Sequence, residues 1–178
     1  MKYHTTTTLN EIRACSPCHD GWTVLLSHLG KTKADDDPLE LLTILDSNGL
    51  YDALWCLRAP SLERLSRHFQ AWCAERALPL FEREFLDDRR VRAQIEMLRN
   101  DYATDVERNA VWVSAWGAAL APEWRVARAA RAASEATALE GAWHAARGIA
   151  GGAALVPALD AERAAQEQQL RAMIGEKT

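Results

Sequence analysis

Five residues, CSPCH at Cys15–His19, carry the spacing C-x-x-C-H. Two thiols and an imidazole so spaced can hold a haem, the thiols on its vinyl groups and the imidazole on its iron. The same thiol pair is a zinc knuckle if two further ligands converge on it. Haem attachment requires export with the thiols kept reduced, and the N-terminal MKYHTTTTLNEIRA contains no apolar core of the secretory kind. Zinc needs a second pair, and no second C-x-x-C or H-x-x-x-H exists, so Cys56, Cys73, His28 or His68 would have to be recruited across the fold. Cys56 and Cys73 each follow a tryptophan on an apolar helical face, where a free cysteine behaves as a small hydrophobe. The expectation is four reduced thiols, no cofactor and no metal, with Cys15, Cys18 and His19 as the outside metal candidate.

Other chemistry-bearing patterns are missing. The sequence has no G-x-S-x-G, H-E-x-x-H, Gly-rich phosphate loop or G-x-G-x-x-G. None of the five histidines is paired in sequence with a nucleophile. His68 or His144 beside a carboxylate in a polar cleft would raise an enzymatic reading; the expectation is a protein that is not an enzyme. The acidic runs Asp35, Asp36, Asp37 and Asp87, Asp88 are candidate partner-binding residues that would steer a basic partner, against a plainer role as helix caps. Seven tryptophans are many for 178 residues. They read first as large rings filling an alanine-rich interior and second as interface anchors, since Trp and Arg are the usual hot-spot residues.

The elements that must position these groups are helices. Thr8–Glu11 and Thr104–Glu107 are capping boxes. Trp22, Leu25, Leu26 and Leu29 make one apolar face, and Gly30 closes that helix. Asp37-Pro38 signals a helix start and Ser47-Asn48-Gly49 a turn. Ser61 caps a helix that Pro79 ends or kinks. Val91, Ile95, Leu98 and Tyr102 share a face of the next helix. Gly151-Gly152 and Pro157 mark a break before a closing helix capped by Asp160. ALWCLRA and QAWCAERA both place Trp-Cys before Arg-Ala and GAWHAARG is similar, a short internal echo that fits consecutive antiparallel helices burying the same kind of face.

No stretch alternates with period two. The fold class expected is all-α: a bundle or short solenoid-like array of about eight to ten antiparallel helices of about 8–18 residues. It forms a single domain over 1–178, with an N-terminal helical segment at about 8–50 and a second region at about 52–172. Hydrophobic residues make up 48% and charged residues 26%, a globular profile, and the net charge of −4 is not the balance of a nucleic-acid-binding protein. No run of 18 apolar residues occurs, so neither a membrane span nor a membrane partner is expected, and the expected compartment is the cytoplasm.

The stretch from Asp52 to Ala103 resembles the immunity-protein-like helical domain found beside bacterial polymorphic toxins and in prophages. The residues that carry this are AWCAERALPLFE at Ala71–Glu82, the acidic turn with arginines at Asp87–Arg92, AQIE at Ala93–Glu96, and the alanine-rich tail. The N-terminal PCHDGWTVLLSHLGKTKADDDPLELLTILDSNGLYDALWCLR is similar to the start of small uncharacterised phage and prophage proteins. The two similarities together span roughly residues 8 to 172. The resemblance implies a helical protein that binds and occludes another protein, such as a toxin, a nuclease or a host-defence component. Two other readings stand beside it: a zinc-stabilised regulatory domain built on Cys15 and Cys18, and a structural homo-oligomer formed through the Ala/Trp faces.

Overall fold

CSPCH is a corner between two helices. In the computed structural model, which describes residues 3–151 and 155–175, helix α1 (Leu9–Ala14) ends with Cys15 as its C-cap. Ser16 then takes a left-handed conformation (φ 60°), and Cys18 becomes the N-cap of α2 (His19–Leu29), its Sγ accepting from the Gly21 N–H. The string thus ends one helix and starts the next, and Gly30, at φ 63°, ends α2 as expected.

The chain divides into two units, Met1–Ser66 with Gln169–Thr178, and Arg67–Gln168. Among the described residues the fold is all-α, with nine α-helices, one short 3-10 turn and two strands of two residues each. In the first unit, β1 (Thr6–Thr7) pairs antiparallel with β2 (Leu39–Glu40), Thr6 opposite Glu40 and Thr7 opposite Leu39. Helix α3 (Leu41–Cys56) packs on α2, and Pro60–Leu62 forms the 3-10 turn. Leu9, Ile12, Leu25, Leu41, Ile44, Leu45, Leu54 and Leu62 are among the buried apolar residues of the first unit. The boundaries between the units fall inside α4 (Glu63–Glu84) and α9 (Leu155–Ile174). The second unit holds α5 (Arg90–Arg99), α6 (Asp105–Ala118), α7 (Trp124–Ser134) and α8 (Ala138–Ala150), packed α5 on α6, α6 on α7 and α7 on α8.

Alanine dominates the α7–α8 contact. Ala129, Ala130, Ala132 and Ala133 on α7 and Ala138, Ala142, Ala145 and Ala146 on α8 are buried. Gly141 lets the backbones approach, since a Cβ there would sit 2.8 Å from the Ala132 carbonyl oxygen.

Several local signals behave as read. Thr104 and Glu107 form the full reciprocal capping box. Thr8 caps α1, but the Glu11 carboxylate accepts from Thr7 and Ser61 and makes no reciprocal bond. Gly49, at φ 82°, breaks α3 where Ser47-Asn48-Gly49 predicts a turn.

Five signals are corrected. Ser61 does not cap α4: it lies inside the 3-10 turn that precedes Glu63, and its hydroxyl is committed to the Glu11 carboxylate. No helix begins at Asp37-Pro38: Asp37 is drawn to Lys31, and the next residues pair with β1, so α3 starts at Leu41. Pro79 does not end α4, which runs on to Glu84, because buried Leu78 and Phe81 hold the helix in the core on both sides of the proline. Tyr102 is not on the buried face of α5; it lies beyond the helix end and is 93% exposed. Asp160 is not the cap of α9, which is already helical at Leu155 and carries Pro157 in its first turn, where a missing N–H costs nothing. Gly152, half of the glycine break read there, lies outside the described residues.

Candidate functional site

The second unit gathers tryptophans and arginines on one face. On α7, Trp124, Arg128 and Arg131 follow the spacing i, i+4, i+7, opposite the buried alanines. On α8, Trp143 and Arg147 are i, i+4. On α6, Trp112 and Trp116 repeat that spacing and stack with centroids 5.8 Å apart. The Trp112 indole donates to the Ser134 carbonyl at 2.7 Å, satisfying one of the free carbonyls at the end of α7 and fixing α6 against it.

The guanidinium of Arg128 lies between two rings, 4.7 Å from the Trp143 centroid and 5.6 Å from that of Trp124. Arg147 lies 5.1 Å from the Trp143 centroid and Arg131 5.8 Å from that of Trp116. These are cation–π distances. The rings are not core filling: Trp116, Trp124 and Trp143 are 37%, 48% and 46% exposed.

The arginines form no ion pair among the described residues, although Glu135 is near enough to Arg131 to feel its charge. Among the described residues no carboxylate lies within ion-pair distance of Arg128, Arg131 or Arg147. The Nε atoms of Arg131 and Arg147 are buried and have no hydrogen-bond partner. Burial, and then the nearby Arg147 and Arg131, push the Arg128 guanidinium below its ordinary range, although it stays charged. Under this layer sits His144, 8% exposed. Burial and the three arginines push it down to about 4, so its imidazole is neutral near pH 7. Its Nε2–H donates to Glu135 at 2.9 Å, and Nδ1 accepts from Arg128 at 3.2 Å. Burial, followed by Glu140, holds the Glu135 carboxyl above the usual range. With both ring nitrogens engaged, His144 has no lone pair free to act as a base; it positions Arg128.

His68 also meets a carboxylate, Asp101, at 3.1 Å. Arg67 shares that carboxylate and donates to the Leu98 carbonyl, so the group ties α4 to the end of α5. The internal echo acquires a physical meaning as well. Arg58 lies 5.5 Å from the Trp55 ring centroid, Arg76 4.9 Å from Trp72, and Arg147 5.1 Å from Trp143: each echo is a tryptophan stacked with the arginine three or four residues on.

The acidic candidates are answered locally. Asp35 and Asp37 pair with Lys31 at 2.6 and 2.8 Å, which lowers the Asp35 pKa, and Asp36 accepts from Asn10. Asp88 clamps Arg90, whose guanidinium and backbone N–H both donate to it. Asp87 is exposed. The runs belong to different units, with Asp35–Asp37 in the first and Asp87 and Asp88 in the second. Cys15 is half-buried, and Cys18 and His19 are exposed. Among the described residues no three His, Cys, Asp or Glu side chains are grouped to hold a metal.

No family model, no curated protein and no solved structure matches the chain. The geometry alone carries the functional argument. Sequence reasoning weighed the tryptophans as interface anchors but passed over Arg128, Arg131 and Arg147. The signal was the Trp-to-Arg spacing of four in WRVAR and WHAAR on successive helices.

Proposed function

We propose that the chain is a non-enzymatic protein-binding module that docks a partner through the tryptophan–arginine face of α6, α7 and α8. One observation carries this reading: three half-exposed indoles interleave with three guanidinium groups that have no carboxylate of their own. Exposed Trp and Arg side by side are the residues that dominate interface energetics, and a monomer gains little by leaving them in water. The unanswered positive charge selects a partner that brings carboxylates to the arginines. A polyanionic nucleic acid is disfavoured because the net charge of −4 gives no long-range attraction to it.

The mechanism is occlusion: a rigid helical face covers the partner's working surface and needs no cofactor. The resemblance to immunity-like domains of toxin systems and prophages points to a toxin, nuclease or host-defence protein as that partner, and to the cytoplasm as the place of encounter. The absence of any helix long and apolar enough to cross a membrane, among the described residues, agrees with this. The aspartate runs then serve mainly to hold their own loops. The test is quantitative affinity capture with the wild-type chain and with a Trp143→Ala, Arg128→Gln double variant. The reading requires a stoichiometric protein held by the first and lost by the second.

A further inference from the structure

The first unit contains a cavity of about 90 Å³ that the docking face does not use. Three aromatic residues, Trp22, Tyr51 and Trp55, line it together with the Asp52 carboxylate and the Asn48 amide. We propose that this cavity binds a compact ammonium head group, held by the three aromatic faces and by Asp52. The proposal is independent of the partner reading, because every residue concerned belongs to the first unit.

The carboxylate is held in place rather than free to swing. Asn48 Nδ2 donates to Asp52 at 2.9 Å and to the Gly21 carbonyl at 2.8 Å, while Ser47 Oγ donates to Asn48 Oδ1 at 2.7 Å. Gly21 makes room for it: a Cβ at that position would stand 2.5 Å from Asp52 Oδ2. Despite this support, no cation answers the charge among the described residues, and the one bond the carboxylate accepts leaves most of its lone pairs unused. A carboxylate beside apolar and aromatic walls selects a cation over a neutral group, because the face of an aromatic ring is electronegative and attracts a cation. Trp55 already shows this affinity, with the guanidinium of Arg58, which is not a lining residue, 5.5 Å from its centroid. Tyr51, one of the lining residues, is 65% exposed, so the lining reaches solvent. The cavity admits a head group of a few heavy atoms, and a lysine side chain or a free small amine supplies the same chemistry.

The experiment is a calorimetric titration of the full chain with choline, with its neutral isostere 3,3-dimethylbutan-1-ol, and with N-acetyl-lysine methylamide. The expected result is saturable binding of at least one cation and none of the neutral isostere. Asp52→Asn, which keeps the shape and the bond from Asn48, should weaken binding about tenfold, as loss of a charged contact does. Tyr51→Ala, at an exposed position, should weaken it as well and serves if Asp52→Asn fails to fold. Choline binding identifies a free small amine as the occupant, and binding of the capped lysine alone identifies a partner's side chain. Equal binding of the neutral isostere, unchanged affinity in the variants, or no saturable binding of either cation overturns the proposal.

Discussion

The Arg76 guanidinium spans both oxygens of the Glu162 carboxylate, at 2.8 and 2.6 Å, with the Trp72 ring 4.9 Å from its carbon. Glu162 is 3% exposed, and this bidentate fork is the partner that answers it inside the protein. Breaking such a pair from one side leaves an unanswered buried charge. Arg76→Ala should therefore destabilise the chain by about 3 kcal/mol, measured by denaturant unfolding. The double variant Arg76→Met, Glu162→Leu should recover most of that loss, since no buried charge remains. A double variant as unstable as Arg76→Ala would place the loss in packing and not in the charge.

Gly141 tests how closely α7 and α8 approach. In an exposed helix, Gly→Ala stabilises by about 1 kcal/mol. Here the added Cβ would meet both the Ala132 carbonyl and Gln70 Cγ at 2.8 Å. The backbone cannot rotate away as a side chain can, so Gly141→Ala should destabilise by about 2 kcal/mol, the usual scale of overpacking. A raised melting temperature would mean that the two helices stand further apart.

The buried imidazole makes stability depend on pH. His144 titrates at about 4 in the folded chain, against an ordinary value of 6.5. The unfolded chain therefore takes up this proton first as the pH falls, and stability rises with pH between those values. The full effect is on the order of 3 kcal/mol. Glu135, raised by burial, acts in the opposite direction, contributing stability at low pH that is lost as the pH rises through its folded value. Glu75 and Asp88, lowered by Arg99 and Arg90, lose their contributions only below the ordinary carboxylate values. Unfolding free energies between pH 6.5 and 5 should fall steeply in the wild type and more gently in His144→Gln. Equal slopes would mean that His144 is protonated in the fold.

The cysteines should divide into two classes. Cys15 and Cys18 sit at the exposed corner between α1 and α2, whereas Cys56 and Cys73 are buried. Burial pushes the Cys56 thiol up to about 12, and burial likewise raises Cys73 well above the ordinary thiol value. Since the thiolate is the reactive form, a disulfide reagent near neutral pH should titrate two thiols in the native chain and four after denaturation. Four in the native chain would contradict this packing.

How far this molecule can be read from its sequence depends on how local each cause is. The Thr104 capping box, the Gly30 cap and the Gly49 break are decided within a few residues, and each stands where its signal is written. Asp37-Pro38 was overruled by a partner distant in sequence, the β1 strand, whereas α4 runs past Pro79 because its neighbours Leu78 and Phe81 are held in the core. The docking face was half legible: the spacing of four between Trp143 and Arg147 is visible in the sequence, but which helix surface stays uncovered depends on how α6, α7 and α8 pack. The ammonium cavity was not legible, because Trp22 and Asp52 come from separate helices. CSPCH looks like a metal or haem motif in the sequence and is a corner in the fold, where Ser16 turns left-handed and Cys18 caps a helix.

The central claim is that Trp143 and Arg128 belong to a docking face. The most direct measurement compares the protein retained from the source-cell lysate by the immobilised wild-type chain with that retained by the Trp143→Ala, Arg128→Gln double variant, each shown to be folded by its melting curve. The account predicts one protein retained near one-to-one by the wild type and reduced at least about tenfold by the variant, as loss of two hot-spot residues requires. Equal retention by both, or loss only when Asp35, Asp36 and Asp37 become Asn, would contradict it.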